Sequence, residues 1–189
     1  MESETEYILV TGGIGFIGSH TVVELVAEDK HVIIVDNCSN SSIKCLDRIN
    51  TITERPSYIK FFNLDIKNRQ ALEDQIFSKF KISSVIHFAA YKAVGESVAK
   101  PLDYYENNVS ATIGLLQLMV KYSVNCFIFS SSACVYGENA FANETDPIQP
   151  INPYGHNKAM IEQVMKDISF ANKDFCTIAL RYFNPIGAH

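Results

Sequence analysis

Two stretches of this chain carry residues that together could move hydrogen. Phe127-Ile128-Phe129-Ser130-Ser131-Ser132 is an apolar run that turns hydroxyl-rich at its carboxyl end, and Ala133-Cys134-Val135-Tyr136-Gly137 follows it. Further on, Pro153-Tyr154-Gly155-His156-Asn157-Lys158 opens an amphipathic stretch. Tyr154 and Lys158 stand four apart, so on a helix they share one face. A phenol titrating near ~10 is a poor base at neutral pH, and an ammonium beside it stabilises the phenolate. Either pattern alone is weak. Helix faces supply Tyr-x-x-x-Lys by chance, and strand-end serines often satisfy backbone groups. Joined in this order with a strand-end Ser132, they read as a hydrogen-transfer triad of Ser132, Tyr154 and Lys158.

Such a triad needs something to exchange hydrogen with, and the amino-terminal region supplies a place for it. Tyr7-Ile8-Leu9-Val10 runs into Thr11-Gly12-Gly13-Ile14-Gly15-Phe16-Ile17-Gly18, an apolar strand breaking into a glycine turn ahead of an apolar-faced helix. Gly12, Gly15 and Gly18 suit a tight turn, close approach of backbone N–H groups to a pyrophosphate, and close helix–strand packing. The helix then directs its unpaired N–H groups at the phosphates. Asp36 ends the next apolar strand, where a carboxylate accepts hydrogen bonds from both ribose hydroxyls and repels a 2′-phosphate, which favours NAD over NADP. The alternative is an acid that opens the Asn37–Asn40 turn. Asp65 closes Phe61-Phe62-Asn63-Leu64-Asp65 and either contacts an adenine or caps the following helix.

The rest of the chain alternates strand-like and helix-like runs. Strands are expected at Tyr7–Thr11, His31–Asp36, Tyr58–Phe62, Ser84–Phe88, Cys126–Ser131 and Cys176–Arg181. Helices are expected near Gly18–Asp29, Ile43–Thr53, Arg69–Phe80, Pro101–Tyr122 and Pro153–Ala171. Runs such as Val32-Ile33-Ile34-Val35 suit parallel strands covered on both faces. The expected fold is α/β, a doubly wound parallel sheet in the order 3-2-1-4-5-6, with residues 1–189 forming one domain. Gly137–Pro150 reads as a surface loop.

A charge of −5 without a basic stripe argues against nucleic acid as a partner. No apolar run is long enough to span a bilayer, and the acidic start opposes a secretory signal. The odd set Cys38, Cys45, Cys126, Cys134 and Cys176 forms no metal-type pair and fits a reduced, cytoplasmic compartment. All but Cys134 read as small hydrophobes in or near strands.

The chain resembles the extended short-chain dehydrogenase/reductases and, among them, the UDP-glucose (UDP-galactose) 4-epimerase family. The resemblance rests on Thr11-Gly12-Gly13, Gly18-Ser19-His20-Thr21, Val85-Ile86-His87-Phe88-Ala89, Lys92-Ala93-Val94-Gly95-Glu96-Ser97, Tyr104-Tyr105, Asn107-Asn108 and Arg181-Tyr182-Phe183-Asn184-Pro185. It implies that Phe16 and Ile17 lie along the pyrophosphate, and that Asp36, Asn37, Asn40 and Ser41 surround the adenosine ribose, with Asp65 and Ile66 at the adenine. It implies that Phe88, Ala89, Ala90, Lys92 and Asn107 line the cofactor cleft, with Phe183 near the nicotinamide and Asn184 on the nucleotide-sugar. Tyr154 resembles the base for the sugar 4-hydroxyl, and Ser132 the residue that orients that hydroxyl. Lys158 resembles the group that holds the nicotinamide ribose and depresses the tyrosine pKa. The implied reaction takes hydride from sugar C4 to bound NAD and returns it to the opposite face of the rotated 4-keto sugar.

Two positions depart from the family pattern: Ala90-Tyr91 replaces Gly-Leu, and Cys134 replaces a threonine. The family's second domain, which closes over the nucleotide-sugar, would follow His189. Alternatives are a nucleotide-sugar dehydratase, which tends to carry Thr-Asp-Glu where this chain has Ser132-Ala133-Cys134, and a non-catalytic NAD-binding remnant. The resemblance also implies a homodimer through the helices at Pro101–Tyr122 and Pro153–Ala171, with Leu115, Leu116, Leu118 and Met119 available to it; the alternative is that these residues only pack on the sheet.

Overall fold

A computed structural model describes residues 5–139 and 141–187. Six parallel strands form one sheet in the order β3-β2-β1-β4-β5-β6. They are β1 (Glu6–Thr11), β2 (His31–Asp36), β3 (Ile59–Asn63), β4 (Lys81–His87), β5 (Cys126–Ser132) and β6 (Cys176–Tyr182). The helices are α1 (Phe16–Ala27), α2 (Lys44–Thr53), α3 (Arg69–Leu72), α4 (Val94–Ala99), α5 (Pro101–Tyr104), α6 (Ala111–Lys121) and α7 (Pro153–Ala171). The expected strand order and every expected strand are present, with ends shifted by at most three residues.

Two apolar layers sandwich the sheet. One, with Val10, Val22, Ile34 and Ile49, packs under α1 and α2. The other, with Leu9, Ile33, Leu115, Phe127 and Ile161, lies under α6 and α7. Leu115, Leu116, Leu118 and Met119 are fully or almost fully buried in this second layer, so they hold α6 on the sheet and cannot form a dimer face. The helix surface left exposed carries Ile113, Val120 and Met160 instead.

Three differences from the sequence reading concern the helices. The expected helix over Pro101–Tyr122 widens into a π-helical turn at Tyr105–Ser110, a feature that tends to mark function. Ahead of it, Val94–Ala99 forms a separate short helix, because Lys100 precedes Pro101 and leaves the helical region at φ −132° and ψ 57°. The third helix ends in a second π-helical turn at Glu73–Phe77.

The cysteine reading holds in part. Cys45 and Cys38 pack against the α1–α2 layer, while Cys126 and Cys176 pair in register across β5 and β6 with Cys176 exposed. Cys38 lies beyond its strand with positive φ.

Candidate active site

The carboxyl ends of the strands surround a cavity of about 360 Å³. Its first wall is the glycine turn. Gly12 takes φ +69°, and a Cβ there would fall 2.7 Å from the Ala89 nitrogen. A Cβ on Gly18 would fall 2.3 Å from the Gly12 carbonyl oxygen. No side chain of the capping residue, Gly15, covers the first turn of α1, so the N–H groups that open the helix are available to an anion. Gly12, Gly15, Phe16, Ile17 and Gly18 all line the cavity, as expected.

The far end is set by Asp36. Its Oδ1 accepts from the Cys38 amide and the Ser41 hydroxyl, both at 2.9 Å, and Oδ2 accepts from the Ile14 amide at 3.3 Å. The acid is thus anchored by the turn after β2 and by the glycine turn, and it still lines the cavity beside Asn37, Asn40 and Ile66. Two expected residues are not among those lining the cavity. The Ser41 hydroxyl donates to Asp36. The Asp65 carboxylate accepts from the Lys67 amide and the Asn37 side chain. Nor does Asp65 cap α3, since the Ala71 amide donates to Asn68 Oδ1 at 3.1 Å.

Phe88, Ala89, Ala90, Lys92 and Asn107 line the middle of the cavity, and Phe183 and Asn184 line it just beyond β6. At the opposite end Ser132, Tyr154 and Lys158 come together on its wall. Ser132 Oγ accepts the Cys134 amide at 3.2 Å, which fixes the turn after β5. The Tyr154 amide donates to buried Ser97 Oγ at 3.2 Å, so α4 holds the first turn of α7. Lys158 Nζ donates to the Ser130 carbonyl at 2.8 Å and sits over the Phe129 ring.

Burial pushes the Tyr154 phenol above its ordinary pKa; the neighbouring Ser132 hydroxyl opposes this, and Cys134 adds to it. Lys158 makes its hydrogen bond elsewhere. Its Nζ lies 5.6 Å from the centre of the Tyr154 ring and is directed to Ser130. Burial brings Lys158 itself down to about 7. A lysine depressed this way binds fewer protons folded than unfolded between about pH 7 and 10.5, so its contribution makes folding stability rise with pH across that window. Lys158→Met, measured without added dinucleotide near neutral pH, is therefore expected to raise Tm by about 2–4 °C. A lowered Tm in a differential scanning calorimetry trace would contradict the burial argument.

Sequence reasoning missed the groups that support this wall. Ser131 Oγ donates to Glu162 Oε1 at 2.6 Å, and Arg181 grips the same carboxylate through Nε at 3.0 Å and a terminal nitrogen at 2.7 Å. Arg181 also donates to the Tyr136 hydroxyl at 2.6 Å. Glu162 lies four residues beyond Lys158, a helical spacing that could have suggested it. Its partner on β6 is far away in sequence. Tyr91 and Cys134 line the cavity as well.

A ligand touching both Asp36 and Tyr154 must be elongated, with an anionic middle to face the N-terminus of α1. A dinucleotide has that form, and the doubly wound sheet with this cavity defines a dinucleotide-binding protein of the short-chain dehydrogenase type. The chain belongs to the NAD dependent epimerase/dehydratase family, whose sequence profile matches residues 8–189. It is 50% identical over 185 residues to a UDP-glucose 4-epimerase of Yersinia enterocolitica, covering 96% of this chain and 54% of that one. It is 50% identical over 195 residues to the bifunctional protein gal10 of Schizosaccharomyces pombe, covering all of this chain and 27% of that protein. The solved UDP-glucose 4-epimerase of Bifidobacterium longum, in complex with NAD+ and UDP, superposes with a TM-score of 0.92 at 46% identity, covering 97% of this chain and 55% of that one. The chain thus spans about half the length of these epimerases.

Among the described residues no group of histidine, cysteine and acidic side chains could hold a metal ion, and no helix is long and apolar enough to cross a membrane.

Proposed function

We propose that residues 1–189 are the NAD-binding domain of a UDP-glucose 4-epimerase, which interconverts UDP-galactose and UDP-glucose in cytoplasmic galactose metabolism. The single observation that carries this reading is that the glycine turn, Asp36 and the Ser132–Tyr154–Lys158 set line one continuous cavity. NAD, when bound, supplies the hydride acceptor. Gly12, Gly15 and Gly18 leave room for its pyrophosphate against the start of α1, and Asp36 offers carboxylate oxygen to a ribose. The Tyr154 oxygen takes the proton of the sugar 4-hydroxyl, and Ser132 orients that hydroxyl. Lys158 holds the second ribose and, when protonated, is the cation that offsets the burial of a Tyr154 phenolate. Asn184 touches the nucleotide-sugar. A second domain, corresponding to the remaining length of the relatives, supplies the other nucleotide contacts, and binding energy from those remote contacts contributes to turnover itself.

A dehydratase reading is disfavoured by the cavity wall. Asp36 is the one carboxylate among its described lining residues, and it stands at the end away from Tyr154. A homodimer through α6 and α7 would use the exposed Ile113, Val120 and Met160, rather than the buried leucines.

The test is reduction of bound NAD by UDP-galactose, followed by the near-ultraviolet absorbance of reduced nicotinamide. Tyr154→Phe is expected to slow this by a factor of about 10²–10⁴ while leaving NAD affinity within a few-fold. Unchanged hydride transfer in that variant would remove Tyr154 as the base.

A further inference from the structure

His87 ends β4 and is 2% exposed, with its ring against Phe127 and Phe129. Its Nδ1 lies 2.6 Å from Thr11 Oγ1, and its Nε2 lies 2.8 Å from Thr112 Oγ1. The direction of each bond follows from its neighbours. The Thr112 hydroxyl donates to the Asn108 carbonyl at 2.6 Å. Having one hydrogen, it must accept from the imidazole, so Nε2 carries the ring hydrogen. Burial, aided by the charge of Lys158, lowers the His87 pKa to about 3 and keeps the ring neutral. Nδ1 is then bare and accepts the Thr11 hydroxyl.

The same reasoning orients the asparagines in the π-helical turn. The Tyr91 amide donates to Asn108 Oδ1 at 2.8 Å, and Asn108 Nδ2 donates to the Tyr91 carbonyl at 3.0 Å. Those backbone partners leave no freedom to exchange the Asn108 oxygen and nitrogen. Asn107 Nδ2, 3.0 Å from the same Oδ1, must therefore be a donor. Its own Oδ1 is the atom left to present to the cavity that Asn107 lines.

We propose that His87 is a positioning residue for the cofactor cleft. As the Nε2–H tautomer it locks the Thr11 end of the glycine turn to the π-helical turn, and so holds Asn107 with a hydrogen-bond acceptor toward a hydroxyl or amide donor of the dinucleotide. The proposal rests on the NAD reading above.

Nitrogen-15 spectra of the histidine side chains and NAD titrations test it. In the unsubstituted chain His87 should show the Nε2–H tautomer and no titration between about pH 5 and 8. Thr11→Val and Thr112→Val should each weaken NAD binding about tenfold, and the double variant should bind about as weakly as either single, because both break one line. Thr112→Ser should restore the affinity. An Nδ1–H tautomer, a titrating ring, a loss in the double variant equal to the product of the single losses, or a serine variant as weak as the valine would overturn the assignment. If the valine variants fail to fold, the spectrum and the serine variant decide it. Failure of the unsubstituted chain to bind NAD would contradict the functional reading instead, with the tautomer spectrum still deciding the role of His87.

Discussion

Gly18→Ala is expected to weaken NAD binding by at least about 100-fold, equivalent to about 2.7 kcal/mol. The added methyl would stand 2.3 Å from the Gly12 carbonyl oxygen and 2.9 Å from the Gly13 Cα. All of these are backbone atoms of the same turn, so no side chain can swing away to relieve the contact. The start of α1 must move off the turn, and with it the N–H groups that line the cavity. Gly95→Ala in α4 is the matched control, since its Cβ would meet nothing within 4 Å. Alanine's higher helix propensity should leave that variant equal or more stable by about 0.5–1 kcal/mol. Equal NAD affinity in the two variants, read by calorimetric titration, would mean that the turn does not form the anion site.

The second large effect falls on stability. Arg181→Met removes the guanidinium from Glu162, whose side chain is 3% exposed. A carboxylate left buried without its partner is expected to destabilise by about 3–5 kcal/mol. For a domain of this size that corresponds to a Tm lower by about 6–20 °C. Glu162→Gln should be milder, because a neutral amide still accepts from Ser131. The double replacement Arg181→Met with Glu162→Met should be less harmful than Arg181→Met alone, since it leaves no buried charge. Thermal melts of the three variants check this order. A double variant less stable than Arg181→Met would show that the pair itself, and not the stranded carboxylate, sets the effect. Because Ser131 shares Glu162 and precedes Ser132, this network also carries the registration of the reactive wall.

The parts of the fold legible in the sequence were those with local signals. Continuous apolar runs marked the strands, and the glycine turn marked β1 and α1 together. Pro153 marked the start of α7, and the structure adds Asn152 as its cap. The π-helical turn at Tyr105–Ser110 was not legible, because its residues keep helical periodicity. What widens it is tertiary: Asn107 and Asn108 are buried, Asn107 donates to the Asn108 side chain, and Thr112, Tyr91 and Asn157 take up the polar groups of Asn108.

Most of the site followed from motif order, because a Rossmann-type sheet brings the carboxyl ends of its strands to one edge. Two expected residues stand off the cavity lining for a common reason. Ser41 and Asp65 lie close in sequence to cavity residues, yet nearby donors and acceptors within their own turns capture their polar groups. For Leu115, Leu116, Leu118 and Met119 the sequence left a dimer face and sheet packing both open, because apolar residues on a helix do not reveal which side the sheet lies on; the structure shows sheet packing. The behaviour of Lys158 depended on a carbonyl partner and on burial, and neither is written in a four-residue spacing.

The central claim is that this cavity holds NAD, with Asp36 selecting it over the 2′-phosphorylated form. Isothermal titration of the purified chain with NAD and then NADP tests it most directly. The expected result is one NAD per chain, with NADP binding at least about tenfold more weakly, a difference of about 1.4 kcal/mol. Equal or tighter binding of NADP, or no binding of either dinucleotide, would contradict it.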